Sequence, residues 1–344
     1  MAQDHGNLKR IEELDYLKCI FIILMVIFHL VFIGDKYPYA KKIVYTFHMP
    51  AFLIISGYLV NVRKSPGKFF RNMLWIFIPY AVMEIGYVIM SSVLPVREKV
   101  TELSGQLLLS KTFLSPMGPY WYLHTLLICS IIYYLVYNYV KLSGISRFIL
   151  LGLIFFVLSY GTSILSFANA IYFLAGIFIC QSNFSFISSF QPSALAAIPF
   201  IILCCFPENL DRSTLTGVTI TYLSISILLF IYPYLPVQIT KIHHFIGRNT
   251  LVILLFSPVF TLLSKKFLPF FSFEPTGVCF MIVAVAFTIA GCIGIGWLTD
   301  RLNISQYCFG KKRGCVKTLA QPFLMIYRPA IFPFGYAAFF SFIW

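Results

Sequence analysis

The stretch Asp15-Tyr-Leu-Lys18-Cys-Ile-Phe-Ile-Ile-Leu-Met-Val-Ile-Phe-His29-Leu-Val-Phe-Ile33 decides the fold class of this chain. It is long and apolar enough to cross a bilayer as a helix, which takes about 20 residues at about 1.5 Å each. Yet it contains Lys18 and His29, and both side chains are costly in lipid. Their spacing puts them on the same face of a helix, about 16 Å apart along its axis.

This face forms a stripe of residues separated by steps of three and four, which are neighbours on a helix surface. The stripe consists of Asp15, Lys18, Ile22, Met25 and His29. A stripe that carries ionisable groups cannot face lipid, so we predict that it faces a protein interior or a water-filled cavity.

Composition places the whole chain in the membrane class. Of its 344 residues, 59% are hydrophobic and 11% are charged, and the mean hydropathy is +0.86. Soluble domains have about 25% charged residues, so we predict an all-α, polytopic integral membrane protein. The formal charge of +14 fits basic loops that set topology better than a nucleic-acid partner. The nine scattered cysteines indicate neither a disulfide framework nor a zinc site, and we expect no metal.

Hydropathy predicts about ten transmembrane helices in a single domain, residues 1–344. The predicted spans are 15–34, 43–62, 70–94, 119–138, 146–162, 165–181, 193–207, 215–236, 244–264 and 275–298. The apolar segment 331–344 is short for a span, and we interpret it as an interfacial or re-entrant tail. The distribution of Lys and Arg favours the cytoplasm for both termini.

A second histidine lies in the next predicted span, in Phe47-His48-Met-Pro50. Because consecutive helices are antiparallel, His48 and His29 are expected at a similar depth. Pro50 removes a backbone hydrogen bond and can bend the helix there. A single intramembrane histidine is often a packing residue. Two histidines at one depth, with Lys18 on the same helix face as His29, favour a functional cavity.

Further polar residues have two interpretations each. Lys68 and Arg71, in the basic loop before the third span, either set topology or bind an anion. Arg248 opens the ninth span and is either an interfacial anchor or a phosphate contact. Glu84 pairs either with Lys18 or a histidine, or with a neighbouring helix. Trp121 belongs either to an aromatic belt or to a surface that binds sugar rings.

The motifs of common soluble enzymes are missing from the sequence. It has no zinc motif, no Walker loop, no dinucleotide fingerprint and no Gly-x-Ser-x-Gly elbow. The remaining features are a buried base, a basic face and an opening on the other side of the membrane.

Four stretches, in this order, resemble motifs of the acyltransferase family 3 membrane proteins. They are Lys18 followed by ten residues and His29, Phe47-His48-Met-Pro50 with Ser56-Gly57, Trp121-Tyr-Leu, and Ile246-Gly-Arg-Asn-Thr-Leu-Val-Ile-Leu-Leu-Phe256. Two positions depart from the family pattern. Arg71 is followed by Trp75 where a second arginine is frequent, and Ser257 stands where a histidine is frequent.

The resemblance implies transfer of an acyl group, usually acetyl from acetyl-CoA, to a hydroxyl of a cell-envelope glycan or its lipid-linked precursor. The enzyme would lie in the bacterial cytoplasmic membrane. His29 would be the catalytic histidine and Lys18 its partner, with His48 orienting His29 or stabilising the oxyanion. The anionic donor would meet the basic residues Lys68, Arg71 and Arg248, and the substrate would meet Trp121, Glu84 and Ser56. The alternative is a transporter or flippase that uses the same cavity for a lipid-linked glycan without covalent chemistry.

Overall fold

A computed structural model describes residues 10–93, 99–182 and 184–305. These residues form α-helices and short 3-10 helices, with no strand among them. The predicted all-α class is confirmed. The predicted tail 331–344 lies outside the described residues.

The helices are named here in chain order. They are α1 (Glu12–His29), α2 (Val31–Lys36), α3 (Pro38–Leu59), α4 (Pro66–Val93), α5 (Gly105–Phe113), α6 (Trp121–Tyr139), α7 (Gly144–Gly161), α8 (Phe167–Gln181), α9 (Phe186–Phe190), α10 (Ala197–Cys204), α11 (Leu215–Ile231), α12 (Val237–Arg248), α13 (Thr250–Ser264) and α14 (Val278–Arg301). Short 3-10 helices lie at Gly118–Tyr120, Ala194–Ala196, Pro207–Asn209, Tyr232–Tyr234 and Lys265–Phe271.

Several helices are long and apolar enough to cross a membrane. In the part of the chain that the structure describes there are six: Pro66–Val93, Gly105–Tyr139, Gly144–Gly161, Leu215–Tyr234, Thr250–Phe271 and Val278–Arg301. Two further apolar helices, Phe167–Gln181 and Ala194–Cys204, are shorter. The predicted count of about ten spans is therefore not confirmed, while the multi-pass membrane class is.

Two predicted spans are broken in the structure. The span predicted at 15–34 ends as a helix at His29, because Leu30 adopts an extended conformation with ψ 104°, and α2 then starts afresh. The span predicted at 244–264 is divided at Asn249 into the end of α12 and the start of α13. The first break lies in an apolar sequence, whereas the second lies at the polar residues Arg248 and Asn249.

Helix α1 lies inside the bundle rather than against lipid. It packs against α3, α12, α13 and α14, and both Asp15 and Lys18 are buried. A helix with four charged residues in its first half cannot be surrounded by lipid, and the neighbouring helices cover it here.

Helices α3 and α8 pack unusually closely through two glycines. A Cβ on Gly57 would come within 2.0 Å of the Phe173 carbonyl oxygen, and one on Gly176 within 2.0 Å of the Ile54 carbonyl oxygen. Small residues allow such close backbone approach between membrane helices. The Tyr58 ring near the end of α3 contacts Phe186, which follows the end of α8, so the two helices run in the same direction and face each other at these glycines. The start of α8 therefore lies near the level of His48.

The bundle has two functional ends, which we name by their residues. Helices α1 and α3 are antiparallel, because Lys18 and Leu59 line one cavity while His29 contacts Tyr45. The end that holds Asp15, Lys18 and Arg248 is called the Asp15 end. The end that holds His29 and His48 is called the His29 end.

Candidate active site

A single buried carboxylate holds three cations at the Asp15 end. Asp15 Oδ1 lies 2.7 Å from Lys18 Nζ and accepts a hydrogen bond of 2.9 Å from Arg10 Nη2. Asp15 Oδ2 pairs with Arg10 Nε and lies 3.4 Å from Arg248 Nε. The side chains of Arg10 and Arg248 remain 24% and 31% exposed. The three cations outnumber the one carboxylate that they contact, and two of them can still reach a bound anion.

A glycine sets the position of Arg248. Helix α12 crosses α1 so closely that a Cβ on Gly247 would come within 1.9 Å of the Asp15 carbonyl oxygen. Backbone atoms cannot yield as a flexible side chain can. The close crossing brings Arg248, the next residue, to the Asp15 carboxylate.

We expect Gly247→Ala to lower the melting temperature of the purified protein by several degrees and to weaken acyl transfer. The new methyl group must push α12 away from α1 and Arg248 away from Asp15. The matched control is Gly86→Ala, since a Cβ at Gly86 meets nothing within 4 Å. An open helical site tolerates alanine or is stabilised by it. Equal melting temperatures for the two variants would contradict the close crossing.

An apolar cavity of about 90 Å³ begins at Lys18 and extends into the bundle. Its walls come from α1, α3, α4, α6 and α13, and include Lys18, Ile22, Phe52, Ser56, Tyr122 and Thr250. Ser56 Oγ and the Tyr122 hydroxyl are hydrogen-bonded at 2.7 Å, which gives this wall one polar point. Phe52 lies one helical turn from His48, so the cavity points from the cation cluster toward the histidines.

The two histidines at the His29 end are held in the same way. His29 Nδ1 lies 2.6 Å from the Met25 carbonyl oxygen, and His48 Nδ1 lies 2.7 Å from the Val44 carbonyl oxygen. A carbonyl oxygen only accepts, so each Nδ1 carries the hydrogen. In the neutral ring this leaves the Nε2 lone pair to accept a proton. His29 is half-buried at the end of α1, and His48 is 3% exposed.

Tyr45 brings the two histidines together. Its ring centroid lies 6.2 Å from that of His29 and 5.1 Å from that of His48. The Tyr45 hydroxyl donates to the Phe28 carbonyl oxygen at 3.3 Å, and Lys41 Nζ lies 5.5 Å above the ring. The structure therefore places both histidines around one aromatic ring, with a cation beside them.

Trp121 lies at the start of α6, one residue before the Tyr122 that lines the cavity. One face of its indole is covered by the Arg212 guanidinium, whose central carbon lies 5.2 Å from the ring. A sugar ring would therefore have to use the other face or the guanidinium itself.

The basic residues predicted to bind the donor lie at the Asp15 end. Lys68 and Arg71 are exposed in the first turns of α4, and Ile76 of the same helix lines the cavity. The preceding loop is fixed by α6, because the Tyr134 hydroxyl donates to the Lys64 carbonyl oxygen at 2.8 Å. Partial burial lowers the pKa of Lys64 in this loop.

Two polar residues of the third and fourth predicted spans have partners elsewhere. Glu84 is fully buried and accepts a hydrogen bond from the Met117 backbone N–H at 2.6 Å, whereas Lys18 pairs with Asp15. His124 Nε2 donates to the Phe113 carbonyl oxygen at 2.9 Å and so fastens α5 to α6. A substrate contact by Glu84 stays a prediction.

Sequence reasoning missed three residues of this region: Arg10, Tyr45 and Arg212. Arg10 lies before the apolar run, where a cation indicates only topology. Tyr45 lies between the two histidines without any local motif. Arg212 reaches Trp121 only through the tertiary fold, so no spacing in the sequence indicates the contact. Within the described ranges, no group of three or more His, Cys, Asp or Glu residues is placed to hold a metal ion.

Comparison with models of protein families shows which family the chain belongs to. The model of the acyltransferase family 3, described as an acyltransferase domain, matches residues 11–297, which include Lys18, His29, His48, Trp121 and Arg248. No curated protein and no solved structure matches the chain. The matched region covers most of the chain, and it spans both the cation cluster and the histidines. The chain therefore belongs to acyltransferase family 3 and is a multi-pass membrane acyltransferase.

Proposed function

We propose that this protein transfers an acetyl group from acetyl-CoA to a hydroxyl of a cell-envelope glycan or its lipid-linked precursor. One observation carries the proposal. A single face of α1 holds Lys18, one of three cations that share the Asp15 carboxylate, and His29 with an available Nε2 about 16 Å away. An anionic donor and a hydroxyl acceptor need these two features, at opposite ends of one path.

The donor binds at the Asp15 end. The phosphates of CoA are anionic, and Arg10, Lys68, Arg71 and Arg248 offer exposed or half-exposed cations there. Guanidinium groups bind phosphate oxygens in a bidentate manner. The thioester arm then follows the apolar cavity past Ile22 and Phe52 toward the histidines.

The chemistry is general-base catalysis by His29. Neutral His29 accepts the proton of the acceptor hydroxyl at Nε2 while the hydroxyl oxygen attacks the thioester carbonyl carbon. The carbon–sulfur bond then breaks, and the imidazolium returns the proton to the departing CoA thiolate. Nδ1 stays bonded to the Met25 carbonyl oxygen throughout, which keeps the ring oriented.

His48 has a narrower role than the sequence suggests. With Nδ1–H bonded to Val44, a neutral His48 has no N–H left to offer an oxyanion. It stabilises the oxyanion only when its ring is protonated. In the neutral form it acts through packing on Tyr45, which also contacts His29.

We place the enzyme in the bacterial cytoplasmic membrane with both termini in the cytoplasm. The concentration of Lys and Arg in the loops of the Asp15 end supports this orientation. It exposes the cation cluster to cytoplasmic acetyl-CoA and the histidines to an acceptor on the far side. Membrane lipid is the only other partner that the proposal requires.

The decisive assay follows free CoA released by the purified protein in nanodiscs that contain acetyl-CoA, with and without envelope glycan. We expect release only with glycan present, together with one acetyl mass gained by the glycan. CoA release without glycan, accompanied by acetyl on His29 in a digest, would indicate an acyl-histidine intermediate instead. Glycan crossing the bilayer without CoA release would support the transporter alternative.

The basic residues in the first turns of α4 lead to a separate prediction about donor binding. We expect Lys68→Ala with Arg71→Ala to raise KM for acetyl-CoA about tenfold and to leave KM for the acceptor unchanged, because only the donor carries phosphates to this end. The matched control is Lys265→Ala with Lys266→Ala, which removes two exposed cations from the 3-10 helix that follows α13. A change confined to acceptor kinetics in the first variant would remove the loop from the donor site.

A further inference from the structure

Arg212 is a half-buried cation that forms no close ion pair with a carboxylate in the part of the chain that the structure describes, although the charge of the adjacent Asp211 acts on it. It lies in the turn before α11, at the His29 end, with its guanidinium 5.2 Å from the Trp121 ring. The adjacent carboxylate of Asp211 instead accepts the Ser213 backbone N–H at 2.8 Å. The guanidinium therefore keeps its hydrogen-bond donors available although its charge is partly removed from water.

The backbone around Arg212 is fixed from several sides. The Tyr172 hydroxyl of α8 donates to the Arg212 carbonyl oxygen at 2.7 Å. Thr214 closes the turn, donating from its N–H at 3.1 Å and from its hydroxyl at 2.7 Å to the Asp211 carbonyl oxygen. On the other side, a Cβ on Gly217 would come within 2.8 Å of the Arg212 Cα. An arginine that only anchored a loop to the membrane surface would not need this degree of positioning.

The position of Arg212 relates it to the reaction centre. Trp121 beneath it is followed by Tyr122, which lines the cavity and bonds Ser56. The helix that follows Arg212 contacts α3 close to His48, because the Thr221 hydroxyl donates to the Thr46 carbonyl oxygen at 3.4 Å. A group bound by Arg212 is thus held at the end of the bundle that contains the histidines.

We propose that Arg212 and Trp121 form an anion-binding subsite for the acceptor, and that the acceptor is an acidic glycan. Its carboxylate or phosphate oxygens receive the guanidinium N–H groups, while a sugar ring stacks on the aromatic surface. The subsite orients the neighbouring hydroxyl toward His29. This inference rests on the proposed function, since it names the class of glycan that the enzyme accepts.

The test uses the envelope glycans of the source cell. Total glycan is freed of existing esters by mild alkali and separated by anion exchange into an acidic and a neutral fraction. Each fraction is offered to the full-length enzyme in nanodiscs with radiolabelled acetyl-CoA. Two treated samples of the acidic fraction identify the source of the anion. Carboxyl reduction removes carboxylates only, and hydrofluoric acid removes phosphates only.

We expect label in the acidic fraction alone, and loss of labelling after one of the two treatments. Arg212→Gln should raise KM for the acidic fraction about tenfold or more, the scale of one charge-assisted contact, with KM for acetyl-CoA unchanged. Arg212→Lys, which keeps the charge, should recover part of the loss. The matched control is Arg301→Gln, because Arg301 lies 5.1 Å from Trp297 in a similar stack at the end of α14.

Other results would overturn the subsite. Equal labelling of the neutral fraction would show that Arg212 does not bind a charged group of the acceptor. The same conclusion would follow from labelling that survives both treatments. It would also follow from an unchanged KM for the acidic fraction in Arg212→Gln. Absence of label in every fraction would instead overturn the proposed glycan acceptor itself, and the subsite with it.

Discussion

The His29→Ala protein is expected to insert, fold and bind acetyl-CoA normally, and to lose acyl transfer by at least about 10²-fold, the usual contribution of a general base. The imidazole has one hydrogen bond, from Nδ1 to the carbonyl oxygen of Met25 in its own helix, so its removal leaves no buried charge. Loss of the available Nε2 lone pair removes the group that takes the hydroxyl proton in the proposed reaction.

The experiment compares turnover, donor affinity and melting temperature in one nanodisc preparation. His29→Gln serves as a second variant, because an amide can replace the Nδ1 donor but cannot accept the proton at neutral pH. His243→Ala is the matched control. His243 makes the same Nδ1 contact, at 2.9 Å to the Ile239 carbonyl oxygen of α12, and its ring contacts Tyr16 at the Asp15 end. Turnover near the native value in His29→Ala would remove His29 from the mechanism.

The fold class could be predicted because it depends on composition. Membrane helices need long apolar runs with few charges, and a hydropathy profile detects such runs directly. Interruptions are harder to predict. The break after His29 lies at Leu30, a residue as apolar as its neighbours, and nothing in its side chain indicates an extended backbone. The division at Asn249, by contrast, lies at a polar residue that follows Gly247 and Arg248 in the sequence.

The site could be predicted where it depends on one helix. The spacing of Lys18 and His29 fixes their common face regardless of the remaining fold. The contact of Arg212 with Trp121 depends on tertiary packing, which single-sequence periodicity does not contain. Arg10 reaches Asp15 from just before α1, where helical spacing does not apply. The sequence also offers Glu84 as a partner of Lys18. The structure pairs Lys18 with Asp15, one turn away, and gives Glu84 a hydrogen bond from Met117.

The ion pair between Lys18 and Asp15 leads to a prediction about the folding and activity of Lys18 variants. We expect Lys18→Met to fold and insert at least as well as the native protein, and to lose most of its acyl transfer. The substitution keeps the approximate volume, and the Asp15 carboxylate retains Arg10 and Arg248 as partners. Folding is therefore spared, while the buried cation at the mouth of the cavity is lost. Lys18→Arg keeps the charge and adds donors, so it should retain substantial activity.

The contrasting variant is Asp15→Asn, which removes the one carboxylate and leaves three cations facing each other. Breaking a buried ion pair in this way costs about 3–5 kcal/mol, so we expect this variant to be strongly destabilised. Melting temperature and transfer from acetyl-CoA, measured on the same preparations, separate the two roles. If Lys18→Met melts as early as Asp15→Asn, then Lys18 is chiefly a structural partner of the carboxylate. If it folds and transfers acetyl normally, the polar face of α1 is not catalytic, and the cavity has to be considered as a passage for a lipid-linked glycan.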